Sequence, residues 1–336
     1  MKVKIQDSTL RDGSHAIRHQ LSKKDVGQYC RLANEAGVPI VEVGHGNGLG
    51  ASSLQIGFSR VSDVDILKEA RKNLKDSKLA VHTIPGFATI EKNLAEAIDL
   101  GVDVVRIGCH CTEADITKRH FEYTVNKKVE AVGSLMMSHS VSKEILLQEA
   151  KKMQDYGAAG VSLYDSAGAY LTNNVVDKIS FLSENLEIDI GFHAHNNLGM
   201  AISNSVTAIQ AGASFVDGCI LGFGAGSGNA QLEVLVAVFG KMGFETGIDL
   251  YGILDCANLA SNTFVKEIPT IKATAIISGL AGVFSGFSKH VDRIAKQYDV
   301  DARDIFFELG KRKAVAGQED LIIEVAANLK ARNQAC

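Results

Sequence analysis

The chain of 336 residues has no tryptophan and only three prolines. That is about 1% proline against a background of about 5%. Scarce proline beside 32 glycines excludes collagen-like and Pro-rich disordered chains. No CxxC pair occurs among the six cysteines, Cys30, Cys109, Cys111, Cys219, Cys256 and Cys336. Free thiols in a reducing cytoplasm are the expected state. An excess of one charge is also missing. Lys+Arg total 35 and Asp+Glu 39, a net −4, so neither a nucleic-acid footprint nor a charged interaction tail is expected. Long hydrophobic runs are absent too. The most apolar stretch, residues 273–287, is broken by Gly279, Gly282, Ser285 and Gly286. A membrane helix needs about 20 apolar residues, so no membrane insertion is expected. The first seven residues lack the apolar core of a signal peptide.

Glycine, by contrast, is abundant, about 10% against a usual 7%. This points to many tight turns or many close backbone approaches. Eight short β-branched runs recur at residues 3–5, 39–43, 79–84, 104–107, 131–136, 160–164, 188–192 and 215–220. Each leads into a polar or Gly-rich turn and then an amphipathic stretch. Ser22 has the look of an N-cap, followed by Val26, Tyr29, Cys30, Leu32 and Ala33 at helical spacing. Gly37, Gly101, Gly157 and Gly212 sit where a helix turns back into a strand. Mostly apolar strands alternating with helices argue a parallel sheet covered on both faces. Eight such units predict a (β/α)8 TIM barrel rather than an open doubly wound sheet. The eighth unit ends near Gly247. Beyond it the pattern is helical only, at 250–264, 290–298, 302–311 and 318–332. The expected organisation is a barrel over residues 1–247 and a C-terminal helical lobe over 248–336.

Active sites of such barrels lie at the C-terminal ends of the strands, and the unusual polar residues of this chain fall there. The densest cluster follows strand one, Asp7-Ser8-Thr9-Leu10-Arg11-Asp12-Gly13-Ser14-His15. Strand seven runs into His193-Ala194-His195-Asn196-Asn197. Residues i and i+2 of a strand share a face, so both imidazoles would point toward the barrel mouth. A single strand histidine is usually a satisfied core residue. A pair with a carboxylate from the strand-one loop makes a 2-His-1-carboxylate set. Such a set suits Mn²⁺ or Mg²⁺ better than structural zinc, which prefers cysteine. Cys109 and Cys111 lack the second pair that cysteine ligation would want. The segment Gly222 to Gly228 carries a bare GxGxG pattern. It reads equally as a weak phosphate-binding signal or as a tight loop at the barrel mouth. Asn229 reads as the N-cap of the helix that follows.

These residues resemble a known family. Asp7-Ser8-Thr9-Leu10-Arg11-Asp12-Gly13, His193-Ala194-His195-Asn196 and Gly226-Ser227-Gly228-Asn229 are similar to the motifs of the pyruvate-carboxyltransferase-like (HMG-CoA lyase-like) metal-dependent barrels. The long form Arg11 to Gln20 resembles the 4-hydroxy-2-oxovalerate aldolases in particular. So do His110-Cys111-Thr112-Glu113-Ala114-Asp115, Leu135-Met136-Met137-Ser138-His139 and Gly317-Gln318-Glu319-Asp320. The resemblance implies that Asp12, His193 and His195 hold the metal, with Asn229 in support. It implies that Arg11 stabilises a developing enolate and His15 takes the proton of a 4-hydroxyl. Ser166 would lie beside the 2-oxo acid. The products would be pyruvate and a short aldehyde. An acylating aldehyde dehydrogenase would dock on the lobe, and the chain would form a homo-oligomer.

Two positions depart from that pattern. The family's lobe tyrosine, which helps place the substrate hydroxyl, is Phe284 here, with Ser285 beside it as a possible substitute. His82 stands in a stretch that is more apolar in the family; a polar aldehyde substituent and simple packing both account for it. Three alternatives are therefore carried. One is an acyl-CoA-dependent Claisen-type synthase or lyase, although a lyase would want a cysteine where Gly224-Ala225-Gly226-Ser227 stands. Another is a related aldolase acting on a different 2-oxo acid. The third is a non-catalytic barrel subunit, which the retention of Arg11, Asp12, His15, His193 and His195 argues against.

Overall fold

The computed structural model describes residues 2–315 and 317–335. Strands and helices alternate as β1 (Lys4–Leu10), α1 (Lys23–Glu35), β2 (Ile40–Val43), α2 (Asp63–Asn73), β3 (Lys78–Thr83), α3 (Ala95–Asp99), β4 (Val104–His110) and α4 (Lys118–Asn126). The second half repeats the pattern with β5 (Glu130–Met136), α5 (Lys143–Asp155), β6 (Gly160–Asp165), α6 (Thr172–Asn185), β7 (Asp189–Ala194), α7 (Ala201–Gln210), β8 (Phe215–Gly218) and α8 (Leu232–Lys241). The eight strands form a closed parallel barrel in sequence order, so the chain is a (β/α)8 TIM barrel. Pairing of Lys4–Asp7 with Phe215–Gly218 closes it.

Local chemistry explains the boundaries. Ser22 and Asp25 form a reciprocal capping box at the start of α1. Gly37, Gly101, Gly157 and Gly212 all adopt the left-handed backbone (φ 77, 89, 94 and 109°) that ends a helix. Strand β1 extends to Leu10, well beyond the expected residues 3–5.

The barrel interior is layered. Near the N-terminal ends of the strands, Ile40, Ala80, Val104, Val132 and Phe215 form a small apolar plug. A side chain at Gly191 would run into the Phe215 ring, so glycine there makes room for the plug. Two residues further along the same strands, on the same face, stand Glu42, His82, Arg106, Ser134, Asp217 and His193, all buried.

Among the described residues five α-helices follow: α9 (Leu250–Thr263), α10 (Ala273–Ala281), α11 (Ser288–Tyr298), α12 (Ala302–Lys311) and α13 (Asp320–Ala335). Ile253, Cys256, Ala257 and Ala260 of α9 join the barrel's core. A separate core built on Val283, Phe287, Val291, Ile305, Phe306 and Leu309 belongs to the later helices. Helix α10 lies in the apolar stretch that sequence had read only as too short for a membrane. Among the described residues, no helix is long and apolar enough to cross one.

Candidate active site

The strand-one cluster divides by strand alternation. Asp7 and Thr9 point out of the barrel, where Tyr29 of α1 donates its hydroxyl to Asp7 Oδ2 at 2.6 Å. Burial pushes the Asp7 pKa up to about 6. This pair binds β1 to its covering helix. Beyond Leu10 the chain turns into a short 3₁₀ segment, Asp12–Ile17, that carries Asp12 and His15 over the mouth.

Asp12, His193 and His195 bring one potential ligand atom each within 4.8 Å of the others, and all three are buried. His193 Nδ1 lies 2.9 Å from Asp217 Oδ2. A carboxylate only accepts, so Nδ1 carries a hydrogen and Nε2 is the ring nitrogen turned toward the ligand set. That Nε2 is 3.8 Å from Asp12 Oδ2. Neither His193 Nε2 nor His195 Nδ1 has a hydrogen-bond partner, although both are buried. Burial, then Arg11 and His193, lower the His195 pKa to about 4, against the pull of Asp12, and keep the ring neutral. Burial opposes ionisation of Asp12, but Arg11, His195 and His193 outweigh it and hold its pKa well below the usual carboxylate range. Two unpartnered imidazole nitrogens and an ionised carboxylate fit a divalent cation.

The flanking groups fix this set. Arg11 Nη1 donates to Asp12 Oδ2 at 2.7 Å, and its Nε to Glu42 Oε2 at 2.8 Å. Its Nη2 is buried without a partner, a free cationic edge. Asn229 is not the N-cap of α8. Gln231 precedes that helix, and Asn229 Nδ2 instead donates to Asp12 Oδ1 at 2.9 Å. The long-range bond to a buried carboxylate outcompetes the local cap. The glycine loop serves this approach, since a side chain at Gly224 would collide with both Asn229 and Asp12. Its tight-loop reading therefore describes what it does here.

His15 is half-buried at the mouth, with its ring edge-on to His19 at 5.1 Å. His19 stacks on His45 at 3.5 Å. A side chain at Gly46 would strike the His15 ring, so the loop after β2 approaches it closely. Burial, then Arg11, lower the His15 pKa below 6.5 against the pull of Asp12. His15 also lines a cavity of about 490 Å³ between the glycine loop and lobe residues including Lys272, Gly286 and Lys289.

The remaining expected residues lie further out. Ser166 Oγ accepts the Met137 N–H at 2.9 Å and ties together the loops after β5 and β6. Phe284 is half-buried, edge-on to Phe287 at 5.9 Å, and packs against the lobe's core. The Ser285 side chain lies outside the described residues. His82 is 2% exposed, with Nδ1 unpartnered and 3.7 Å from Glu42 Oε1. Its ring stacks with Tyr164, which stacks in turn on His193 at 4.4 Å. Cys111 instead directs its Sγ to the Met137 carbonyl at 3.4 Å. Among the described residues, neither Cys109 nor Cys111 joins a metal cluster. Glu42, Arg106, Tyr164 and Asp217 escaped the sequence reading. Their signal was a single polar residue at the inward phase of an apolar strand.

Comparison with known proteins agrees with this geometry. Residues 2–260 match the HMGL-like family model, and residues 269–331 match the DmpG-like communication domain. A 4-hydroxy-2-oxovalerate aldolase of Spirochaeta aurantia is 58% identical over 330 residues, 98% of this chain and 97% of the relative. That of Pectobacterium atrosepticum is 56% identical over 333 residues, 99% and 97% of the two chains. The solved HMG-CoA lyase of Bacillus subtilis shares the fold, with a TM-score of 0.70 at 20% identity over 80% of this chain and 96% of that one. Matched by the family model over most of its length and by relatives of more than half identity over nearly all of it, the chain belongs to the HMGL-like family, among the 4-hydroxy-2-oxovalerate aldolases.

Proposed function

We propose that the protein is a divalent-metal-dependent lyase that cleaves a 4-hydroxy-2-oxo acid, such as 4-hydroxy-2-oxopentanoate, into pyruvate and a short aldehyde. The observation that carries this reading is the single turn from Arg11 to His15. It sets a fixed cation with one free edge, a metal-ligand carboxylate and a neutral imidazole side by side. Asp12, His193 and His195 would hold Mn²⁺ or Mg²⁺, which supplies Lewis-acid polarisation of the substrate's 2-oxo group.

The chain's own residues do the rest. Neutral His15 accepts the proton of the 4-hydroxyl on a ring nitrogen. The C4–O bond becomes the aldehyde carbonyl as the C3–C4 bond breaks. The electron pair of that bond passes into the pyruvate enolate. The free edge of Arg11 stabilises the negative charge arising on the 2-oxo oxygen. Return of one proton to C3, offset by the proton that His15 took from the hydroxyl, completes pyruvate and restores the neutral imidazole. Asn229 keeps Asp12 turned toward the site, and Ser166 borders the 2-oxo acid. Phe284 offers the substrate hydroxyl no hydrogen bond, while His82 favours a polar aldehyde substituent. The acyl-CoA-dependent alternative has no support from the close relatives.

The cavity beside His15 and the communication-domain match support an acylating aldehyde dehydrogenase partner on the lobe. We keep the division into a barrel over residues 1–247 and a helical lobe over 248–336, with α9 of the lobe packing its apolar face into the barrel's core. A homo-oligomer in the cytoplasm completes the reading. The test is purified protein with Mn²⁺, given 4-hydroxy-2-oxopentanoate and more polar analogues while pyruvate is followed. Pyruvate from at least one is expected, and none from any overturns the proposal. Co-purification that brings down no dehydrogenase, with no gain in aldehyde oxidation on mixing, removes the partner.

A further inference from the structure

We propose that Arg106 is a positioning residue that locks the His193 ring and the Arg11 guanidinium into one frame. The inference rests on the reading of His193 as a metal ligand and Arg11 as the cation over the reacting oxygen.

Arg106 projects inward from β4, has no exposed surface and is among the largest fully buried side chains of the described residues. Its Nη2 donates to Asp217 Oδ2 at 2.6 Å. That same oxygen faces His193 Nδ1 at 2.9 Å. Its Nη1 lies 3.4 Å from Glu42 Oε2. That oxygen also accepts the Arg11 Nε at 2.8 Å. Each carboxylate is thus shared between Arg106 and one group of the site. The rings add a second link, because Tyr164 lies 5.4 Å from the Arg106 guanidinium and stacks on His193. Burying an arginine between two carboxylates earns no obvious stability over apolar packing. What it does supply is orientation. A carboxylate fixed by a planar guanidinium cannot turn away from the ring it holds. Without Arg106, Asp217 and Glu42 lose a common donor, and both His193 and Arg11 gain freedom to rotate.

The test combines Mn²⁺ titration by electron paramagnetic resonance, without substrate, with kcat and KM for 4-hydroxy-2-oxopentanoate. Asp217→Asn is expected to weaken Mn²⁺ binding about 10–100-fold, the usual cost of losing a ligand's hydrogen-bond partner. Glu42→Gln is expected to lower kcat and leave Mn²⁺ affinity at the wild-type value. Arg106→Gln is expected to show both losses, with KM little changed. Arg106→Lys is expected to restore one and not both, since one ammonium cannot bridge two carboxylates as a guanidinium does. A folded Arg106→Gln protein with wild-type Mn²⁺ affinity, or one changed only in Tm, overturns the proposal. If that variant does not fold, Arg106→Lys decides: full wild-type affinity and kcat overturn the proposal, and loss of either at near wild-type Tm supports it. A wild type that binds no Mn²⁺ overturns the metal site itself. That failure is distinct from wild-type binding which Arg106→Gln leaves intact.

Discussion

One pleat separates two different uses of the same barrel wall. At the lower level, Ile40, Ala80, Val104, Val132 and Phe215 pack against one another as an apolar cluster. Two residues higher on the same strands, Glu42, His82, Arg106, Ser134 and Asp217 take their places. The lower level holds the barrel by volume. The upper level holds it by paired charge and leaves several polar atoms without partners. Buried polar groups normally find partners; at this level the unpartnered His193 Nε2 is one of the atoms that meet in the Asp12, His193 and His195 cluster. Stability and chemistry are stacked along the strands rather than placed in separate regions.

Substitutions can break or sharpen this contrast. The largest effect is expected from Asp12→Asn, which removes the carboxylate of the ligand set; Mn²⁺ binding and pyruvate release should both vanish while the circular dichroism spectrum stays native. Retained binding would move the ligand set elsewhere. His15→Gln is expected to lower kcat by about 10²–10⁴-fold, the usual contribution of a general base. It also has a pH signature. The base works only when deprotonated, and its pKa lies below 6.5. Wild-type kcat/KM should therefore fall only as pH drops below the ordinary histidine range, and the variant should lose that acid limb. An unchanged limb would assign it to another group.

At the lower level the signature should invert. Phe215→Ala is expected to cost about 3–5 kcal/mol of stability, read by denaturant unfolding. Its Mn²⁺ affinity and kcat in the folded state should remain those of the wild type; a loss of affinity would show that the two levels are not independent. His82→Leu is a smaller change, visible as a shift in kcat/KM toward apolar aldehyde substituents over polar ones. Equal effects on both would leave His82 a packing residue. Smallest is Phe284→Tyr, expected to raise kcat/KM within the about 1–3 kcal/mol that a hydrogen bond at a buried polar site supplies. Unchanged turnover would show that the lost hydroxyl does not limit the reaction.

The legible parts of the molecule were the local ones. Strand runs, the Ser22 cap and the turn glycines follow from neighbours a few residues apart, and the His193–His195 pair follows from strand alternation. What escaped depends on distant partners. Arg106 and Asp217 are 111 positions apart, and Arg106 and Glu42 are 64 apart. No window of sequence holds either pair. Strand β1 looked shorter than it is because Asp7, a poor strand former in isolation, breaks the apolar run; the segment is carried by neighbouring strands and by Tyr29. Helix α10 went unread because ATAIISGLA is apolar on nearly every side, so its two faces contrast little against a strongly apolar background. Asn229 was misplaced because a local rule was applied to a residue whose partner lies 217 positions away.

That separation has a thermodynamic consequence. Asp12 follows the first strand and His193 lies near the end of the seventh, and the two meet only when β1 pairs with β8. An open or partly assembled barrel has no such site. A cation bound there is therefore linked to closure of the whole ring. At a free concentration 100 times its dissociation constant it would add about 2.7 kcal/mol to unfolding. The melting temperature should then climb with Mn²⁺ concentration.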